Sequence, residues 1–228
     1  MATIAAKDVM KLRQKTGLGM MDCKEALEVN DGDVNKAEAW LREKQKGKMD
    51  QRTERTTGEG LLQIAIDGSK AAIVEVQCET DFTARNDEFV AMVDDVAKMA
   101  LKAPAGAIVA TDAIKARVDE IRIKTGENMH FSRGEKLEGG SFGMYLHHDR
   151  KRGAVVQVEG KADDELLRSI CQHIVAHVPP PIAVDGDEVP KEKIEQIRAE
   201  AIKEAAEAGK PEQIAQKMAE GRVRRFRE

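Results

Sequence analysis

The sequence predicts an α+β protein with three parts: a three-helix N-terminal bundle, a core of two related hairpin-plus-helix subdomains, and an antiparallel helical hairpin. Three observations carry that prediction. Apolar residues recur at helical spacing through residues 3–44. Two stretches of alternating or β-branched residues, each folded back by a turn, precede a helical apolar stripe. Towards the C-terminus, two narrow Ala-rich stripes flank Gly209-Lys210-Pro211.

In the first block, Val9 and Leu12 share one face of a helix that Gly17 ends. Met20, Met21, Cys23, Ala26 and Leu27 supply a second helix. Asp31-Gly32-Asp33 is a turn. Asp33 stands where a side-chain oxygen accepts from the first amides of a third helix, whose Val34, Ala37 and Leu41 face inward. Residues 1–45 form this bundle. Residues 46–59 read as a tether, because residues 42–55 are polar, mildly basic and without apolar periodicity.

The core begins at Gly60. Leu62, Ile64 and Ile66 alternate, Asp67-Gly68 turns the chain, and Ala71 to Val76 return as a strand. A helix over residues 87–101 carries Phe89, Val93, Val96, Ala97 and Ala100 and is closed by Pro104. A second, over 111–124, carries Ile114, Val118 and Ile121 and completes a subdomain of residues 60–139. Residues 140–184 repeat the order with a strand at 141–146, a turn at 147–153 and a strand at 154–158. The helix that follows is capped by Asp163 or Asp164 and bears Leu166, Leu167, Ile170, Ile174 and Val178 before Pro179. The repetition reads as an internal duplication. Residues 185–228 form the slender helical hairpin. Ile194, Ile197, Ala201, Ala205 and Ala208 stripe its outgoing helix, and Ile214, Ala215 and Met218 stripe its return. Gly209 stops the first helix and Pro211 opens the second.

Composition narrows the functional classes. The 228 residues carry a net charge of −4, without the basic excess of a general nucleic-acid binder, so no direct nucleic-acid partner is expected. Charged residues make up 34% of the chain, which fits solvated helix faces. Aromatics make up only 3%, so any aromatic on a loop is informative. Cys23, Cys78 and Cys171 are widely spaced without a CxxC pair, which fits a reducing cytoplasm. No apolar run approaches a membrane span, so neither a membrane nor a secretory location is expected.

No P-loop, dinucleotide-binding GxGxxG, HExxH or GxSxG occurs. His173 and His177 lie four apart on a helix with Cys171 nearby, a spacing compatible with a metal. No fourth ligand accompanies them, and surface or interface histidines are the simpler reading. Cys78 is either a reactive thiol or a buried strand-end cysteine. No catalytic residue, metal or cofactor is expected.

Residues 78–86, the connection from the returning strand to the helix behind it, stand apart. Such connections carry function on a rigid scaffold. Thr80, Asp81, Phe82 and Thr83 put a carboxylate beside one of the few aromatics. Two readings stand side by side: Asp81 caps a turn while Phe82 tucks into the core, or the pair forms a presented tip. The counterpart residues 159–163 contain no aromatic, so the architecture does not demand Phe82.

Thr80-Asp81-Phe82 followed by Ala84-Arg85-Asn86 closely resembles the TDFVARN motif of elongation factor Ts. Leu12-Arg13, Thr16-Gly17, Gly19-Met20-Met21-Asp22-Cys23-Lys24, Ala26-Leu27 and Gly32-Asp33 resemble that family's N-terminal signature. Gly126-Glu127-Asn128, Gly209-Lys210-Pro211 and Glu220-Gly221-Arg222 are similar to its later landmarks. The resemblance runs in order over essentially the whole chain. It implies a ubiquitin-associated-like bundle, a coiled-coil hairpin, and a guanine-nucleotide exchange factor that binds the GTPase elongation factor Tu and releases its GDP without covalent chemistry. It further implies that Thr80 to Thr83 reach the partner's magnesium and phosphate region, with Phe82 as apolar wedge. Arg13, Met20 and Met21 on the bundle, and His147 on the second hairpin, become candidate partner contacts. On the residues alone, one of the two methionines could equally fill the bundle core.

Two departures accompany the resemblance. Thr83 stands where the family usually has Val, and the chain ends at Phe226-Arg227-Glu228, where many relatives continue. The helical hairpin is also a candidate surface for a homodimer. Two other function classes fit parts of the sequence. A ribosome- or nascent-chain-associated adaptor would use the bundle and basic tether. A metal or thiol hydrolase would use Cys171, His173 and His177.

Overall fold

Helix α1 (Ala6–Thr16) stops where Gly17 takes a left-handed conformation, φ 72°, and its N–H returns to the Arg13 carbonyl at 2.8 Å. The structure, a computed structural model, describes residues 4–227. Thr3 and Glu228, the outer ends of the predicted first and last blocks, lie outside the described residues. Helix α2 (Met20–Val29) and helix α3 (Val34–Asp50) complete the bundle. Asp33 Oδ1 accepts from the Asn35 and Lys36 amides at 3.0 and 3.1 Å, the predicted cap. Val9, Leu12, Cys23, Ala26, Leu27, Ala37 and Leu41 form one buried cluster.

Helix α3 runs on through residues 46–50, which the sequence reads as the start of a tether. The residues leading into it, Arg42-Glu43-Lys44-Gln45-Lys46, are all good helix formers that need no apolar stripe of their own, and the helix continues from them past Gly47. Beyond it the connector is pinned, not loose: the Asn128 side-chain amide donates to the carbonyls of Thr53 and Arg55 at 3.1 and 2.9 Å.

The core comprises β1 (Glu59–Asp67), β2 (Lys70–Cys78), α4 (Asp81–Ala84), α5 (Asp87–Ala100), β3 (Gly106–Ala107), α6 (Asp112–Thr125) and β4 (Met129–Glu138). Its antiparallel sheet has the order β1-β2-β4-β3. Phe89, Val93, Val96, Ala97 and Ala100 of α5 and Ile114, Val118 and Ile121 of α6 are buried, as their spacing predicts, against Val74 and Val76 of β2. Ile123 of α6 packs on the N-terminal cluster, so the bundle rests against this helix.

The phase of β1 differs from the expectation. Leu61, not Leu62, joins the helix-covered core; Ile64 is buried, and Ile66 is exposed. The other face and edge of β1 meet the second hairpin, where the Leu62 amide donates to the Arg150 carbonyl at 2.8 Å. Strand β4 is an addition the sequence reading lacked. It is central in the sheet yet polar, and its Lys136 is only 3% exposed, donating to the Ala103 carbonyl and to Glu138.

The second subdomain pairs β5 (Ser141–Leu146) with β6 (Gly153–Val158) as a two-stranded sheet, followed by α7 (Asp164–Ala176). Asp163 is its cap, accepting from the Leu166 amide at 3.0 Å. Of the predicted stripe, Leu167 is buried, together with Cys171, whereas Leu166, Ile170 and Val178 are exposed. A two-stranded sheet is too narrow to cover the wide apolar face that the helix carries. A hairpin followed by a helix thus occurs twice, and β3, β4 and α6 have no counterpart after α7 among the described residues.

The chain divides into two compact units between Val175 and Ala176. In the second, α8 (Lys191–Glu207) and α9 (Glu212–Arg227) pack together. Ile194, Ile197, Ala201 and Ala205 are buried as predicted, and Ala208 at the helix end is exposed. On α9 the buried line is Ala215, Ala219 and Val223, while Ile214 and Met218 are exposed. Small residues let the helices approach closely, so the alanines, not the larger neighbours, face the partner helix. Among the described residues, no helix is long and apolar enough to cross a membrane.

Candidate functional site

Strand β2 delivers the chain to the turn through Cys78, whose thiol is buried and donates to the Thr80 carbonyl at 3.3 Å. Burial first, and then the nearby charge of Glu127, push this thiol up to about 12. It is a buried strand-end cysteine and not a reactive one. Thr80 keeps an extended backbone and caps α4, its Oγ1 accepting from the Thr83 amide at 3.3 Å. Thr83 and Ala84 point inward and are buried. Phe82, on the same single turn, is 81% exposed. Asp81 is partly exposed, its carboxylate 3.1 Å from the Arg85 guanidinium. Asn86 opens α5, its Oδ1 accepting from the Glu88 amide at 2.8 Å.

Of the two readings of this turn, the packed one fails in both its parts. The cap is Thr80 in place of Asp81, and Phe82 lies outside the core. Thr83 is 8% exposed, so it supports the turn from beneath.

The sequence reading missed what holds the turn. Glu127, in the loop between α6 and β4, accepts from Thr80 Oγ1 at 2.7 Å and from the Thr80 amide at 3.2 Å. Asn128 gives its backbone N–H to Glu79 at 2.6 Å, and Arg55 lies 3.4 Å from the same carboxylate. Gly126-Glu127-Asn128 stands out in the sequence only through the resemblance, because side-chain bonds between residues 47 positions apart leave no periodicity.

The remaining candidates occupy other elements. Arg13 is exposed on α1, and Met20 and Met21 open α2, with Met21 73% exposed. Neither methionine fills the bundle core. His147 begins the turn between β5 and β6. Its Nδ1 lies 3.2 Å from the Tyr145 hydroxyl, its ring stacks edge-on against His148, and its Nε2 lies 3.9 Å from Asp149. The Lys151 amide, which donates to Asp149 at 2.9 Å, and the charge of Arg152 hold the Asp149 carboxyl below its usual range despite the opposing effect of burial. An open cleft of about 900 Å³ lies between α3 and α6, lined by Arg42, Lys46, Lys115 and His130 among others, and includes none of the turn's residues.

Among the described residues, no group of three or more His, Cys, Asp or Glu side chains is placed to hold a metal. Cys171 is buried, whereas His173 and His177 are exposed and His177 Nδ1 lies 2.6 Å from the Pro179 carbonyl, so the hydrolase reading finds no assembled site.

The fold thus mounts an apolar tip on a rigid sheet-and-helix core beside a small bundle, and known proteins with matching sequences set its class as a translation elongation factor. A family model described as Elongation factor TS matches residues 79–228, and one described as Elongation factor Ts, mitochondrial, N-terminal matches residues 1–48. The chain is 40% identical to Elongation factor Ts of Thioalkalivibrio sulfidiphilus (strain HL-EbGR7) over 98% of its own length and 79% of the relative's. It is also 40% identical to Elongation factor Ts of Hydrogenovibrio crunogenus (strain DSM 25203 / XCL-2), over 98% and 78% of the two chains. The chain belongs to the elongation factor Ts family.

Proposed function

We propose that this chain is a guanine-nucleotide exchange factor that binds elongation factor Tu carrying GDP and releases the nucleotide by disturbing the partner's magnesium and phosphate site. One observation carries the reading: Phe82 is 81% exposed at the tip of a turn whose neighbours Thr83 and Ala84 are buried. Burying a side chain of this size in a partner gives about 1.5–3 kcal/mol. A protein that leaves it in water forgoes that stabilisation, which supports a role in contact. Asp81 sits next to the tip, where its carboxylate would meet the partner's phosphate-binding elements.

GTPases hold GDP largely through backbone donors, a lysine and Mg²⁺ around the phosphates. A wedge that displaces those elements removes stabilisation from the nucleotide without making or breaking a covalent bond. Linkage sets the requirement. The factor must bind the empty partner more tightly than the GDP-bound one, and GDP must weaken the factor by the same ratio. Arg13, Met20, Met21 and His147 would supply affinity on flanking surfaces. The same reading puts the chain in the cytoplasm, where translation elongation runs.

Stopped-flow release of a fluorescent GDP from purified elongation factor Tu tests this. The chain should accelerate release strongly, and Phe82→Ala should lose roughly ten- to a hundredfold of that acceleration, the effect of truncating a central aromatic anchor. A Phe82→Ala variant as fast as the parent would remove the wedge.

A further inference from the structure

Building on the exchange reading, we propose that Glu127 is the positioning residue of the Phe82 turn: its carboxylate clamps Thr80 and so fixes the direction in which the aromatic tip leaves the core. The two oxygens take different donors. Oε1 accepts from the Thr80 hydroxyl at 2.7 Å, and Oε2 accepts from the Thr80 backbone N–H at 3.2 Å. The hydroxyl has one proton and two lone pairs. With its proton committed to Glu127, it is oriented to accept from the Thr83 amide at 3.3 Å, the bond that opens α4. Donation therefore runs from the Thr83 amide to the Thr80 hydroxyl to the Glu127 carboxylate.

Helix α4 is a single turn, from Asp81 to Ala84. A helix this short does not hold its own geometry, so its orientation depends on its cap and on the two residues buried beneath it. Glu127 is itself fixed from both sides. Next to it, buried Asn128 gives its backbone N–H to Glu79 at 2.6 Å and its side-chain amide to the carbonyls of Thr53 and Arg55 at 3.1 and 2.9 Å. Arg52 donates to the carbonyl of Gly126. The loop at 126–128 thus brackets the strand end, the tip and the connector from the bundle.

The test places Glu127→Ala and Glu127→Gln beside the parent and Phe82→Ala in the GDP-release assay, with factor concentration varied. Glu127→Ala removes both charge-assisted hydrogen bonds to Thr80 and should lower the maximal release rate at least about tenfold. The half-saturating concentration should stay within about twofold, since the contact surfaces remain. Glu127→Gln keeps one acceptor oxygen for the Thr80 hydroxyl but sets an NH2 against the Thr80 N–H, so its rate should fall between those of the parent and the Ala variant. A Glu127→Ala variant as fast as the parent, or a Gln variant as slow as the Ala variant, overturns the positioning role. Amide hydrogen exchange on the free protein gives a second readout that needs no partner. The Thr80 and Thr83 amides should exchange at least about tenfold faster in Glu127→Ala, with α5 unaffected. Unchanged protection there overturns the clamp. A parent chain that fails to accelerate GDP release defeats the exchange reading instead, and the amide data then decide the clamp alone.

Discussion

Thr83 shows how one side chain divides between the core and the surface. Its backbone amide donates to Thr80 and its carbonyl accepts from Asn86 at 3.0 Å, while its side chain lies under the turn at 8% exposure. The turn's hydrogen bonds thus run through its backbone and not its hydroxyl. Thr83→Val, the residue usual in the family, replaces the hydroxyl of this buried residue with a methyl of similar shape. The expected result is a change within about 0.5 kcal/mol in urea unfolding, since the hydroxyl is not a buried unpaired atom whose removal would relieve a desolvation cost. GDP release should not change, because the tip keeps its cap. A larger loss of stability would show that the hydroxyl contributes to the turn. The candidate site was legible at this scale only in part. Phe82 stands out because aromatics are rare and the matching turn of the second hairpin lacks one. Its exposure could not be read, because a core aromatic and a presented one leave the same letter in the sequence.

At the scale of elements, what periodicity can express was readable. Phe89, Val93, Val96 and Ala100 place α5 and its buried face because one stripe meets one sheet. Strand β4 escaped because a central strand with Glu135, Lys136 and Glu138 has no apolar alternation, its buried cation being satisfied by Ala103 and Glu138. Of the stripe predicted on α9, Ala215 is buried but Ile214 and Met218 are exposed, because close helix approach selects the small residues Ala215 and Ala219 over larger neighbours. Close approach also governs α7 on β5. A Cβ at Gly143 would stand 2.4 Å from Leu167 Cβ and 2.8 Å from its backbone carbon. Gly143→Ala should therefore push α7 off the hairpin and cost about 2 kcal/mol, within the usual range for overpacking. An unchanged urea midpoint at constant slope would mean that α7 has room to move outward.

The whole molecule divides into two units with cores of different quality, and its unfolding should divide the same way. The unit ending at Val175 buries Phe89, Met92, Ile114, Val74, Val76 and Val96 completely, a continuous core of large side chains. The unit starting at Ala176 relies on Ile194, Ile197 and Val223, with alanines filling the rest of its helix contact. Each buried methylene contributes roughly 0.8 kcal/mol, so an alanine seam stabilises far less per turn than one of Leu or Ile. Isolated helices of this length are marginal without such packing. Native-state hydrogen exchange in increasing denaturant should therefore resolve two opening reactions. The amides of Ala201 and Ala219 should open with a free energy at least about 2 kcal/mol below those of Val74 and Val76, and with a smaller denaturant slope, since less surface is exposed. Equal free energies and slopes at all four positions would mean that the chain opens as one cooperative body, and the weak alanine seam would have to draw its stability from elsewhere.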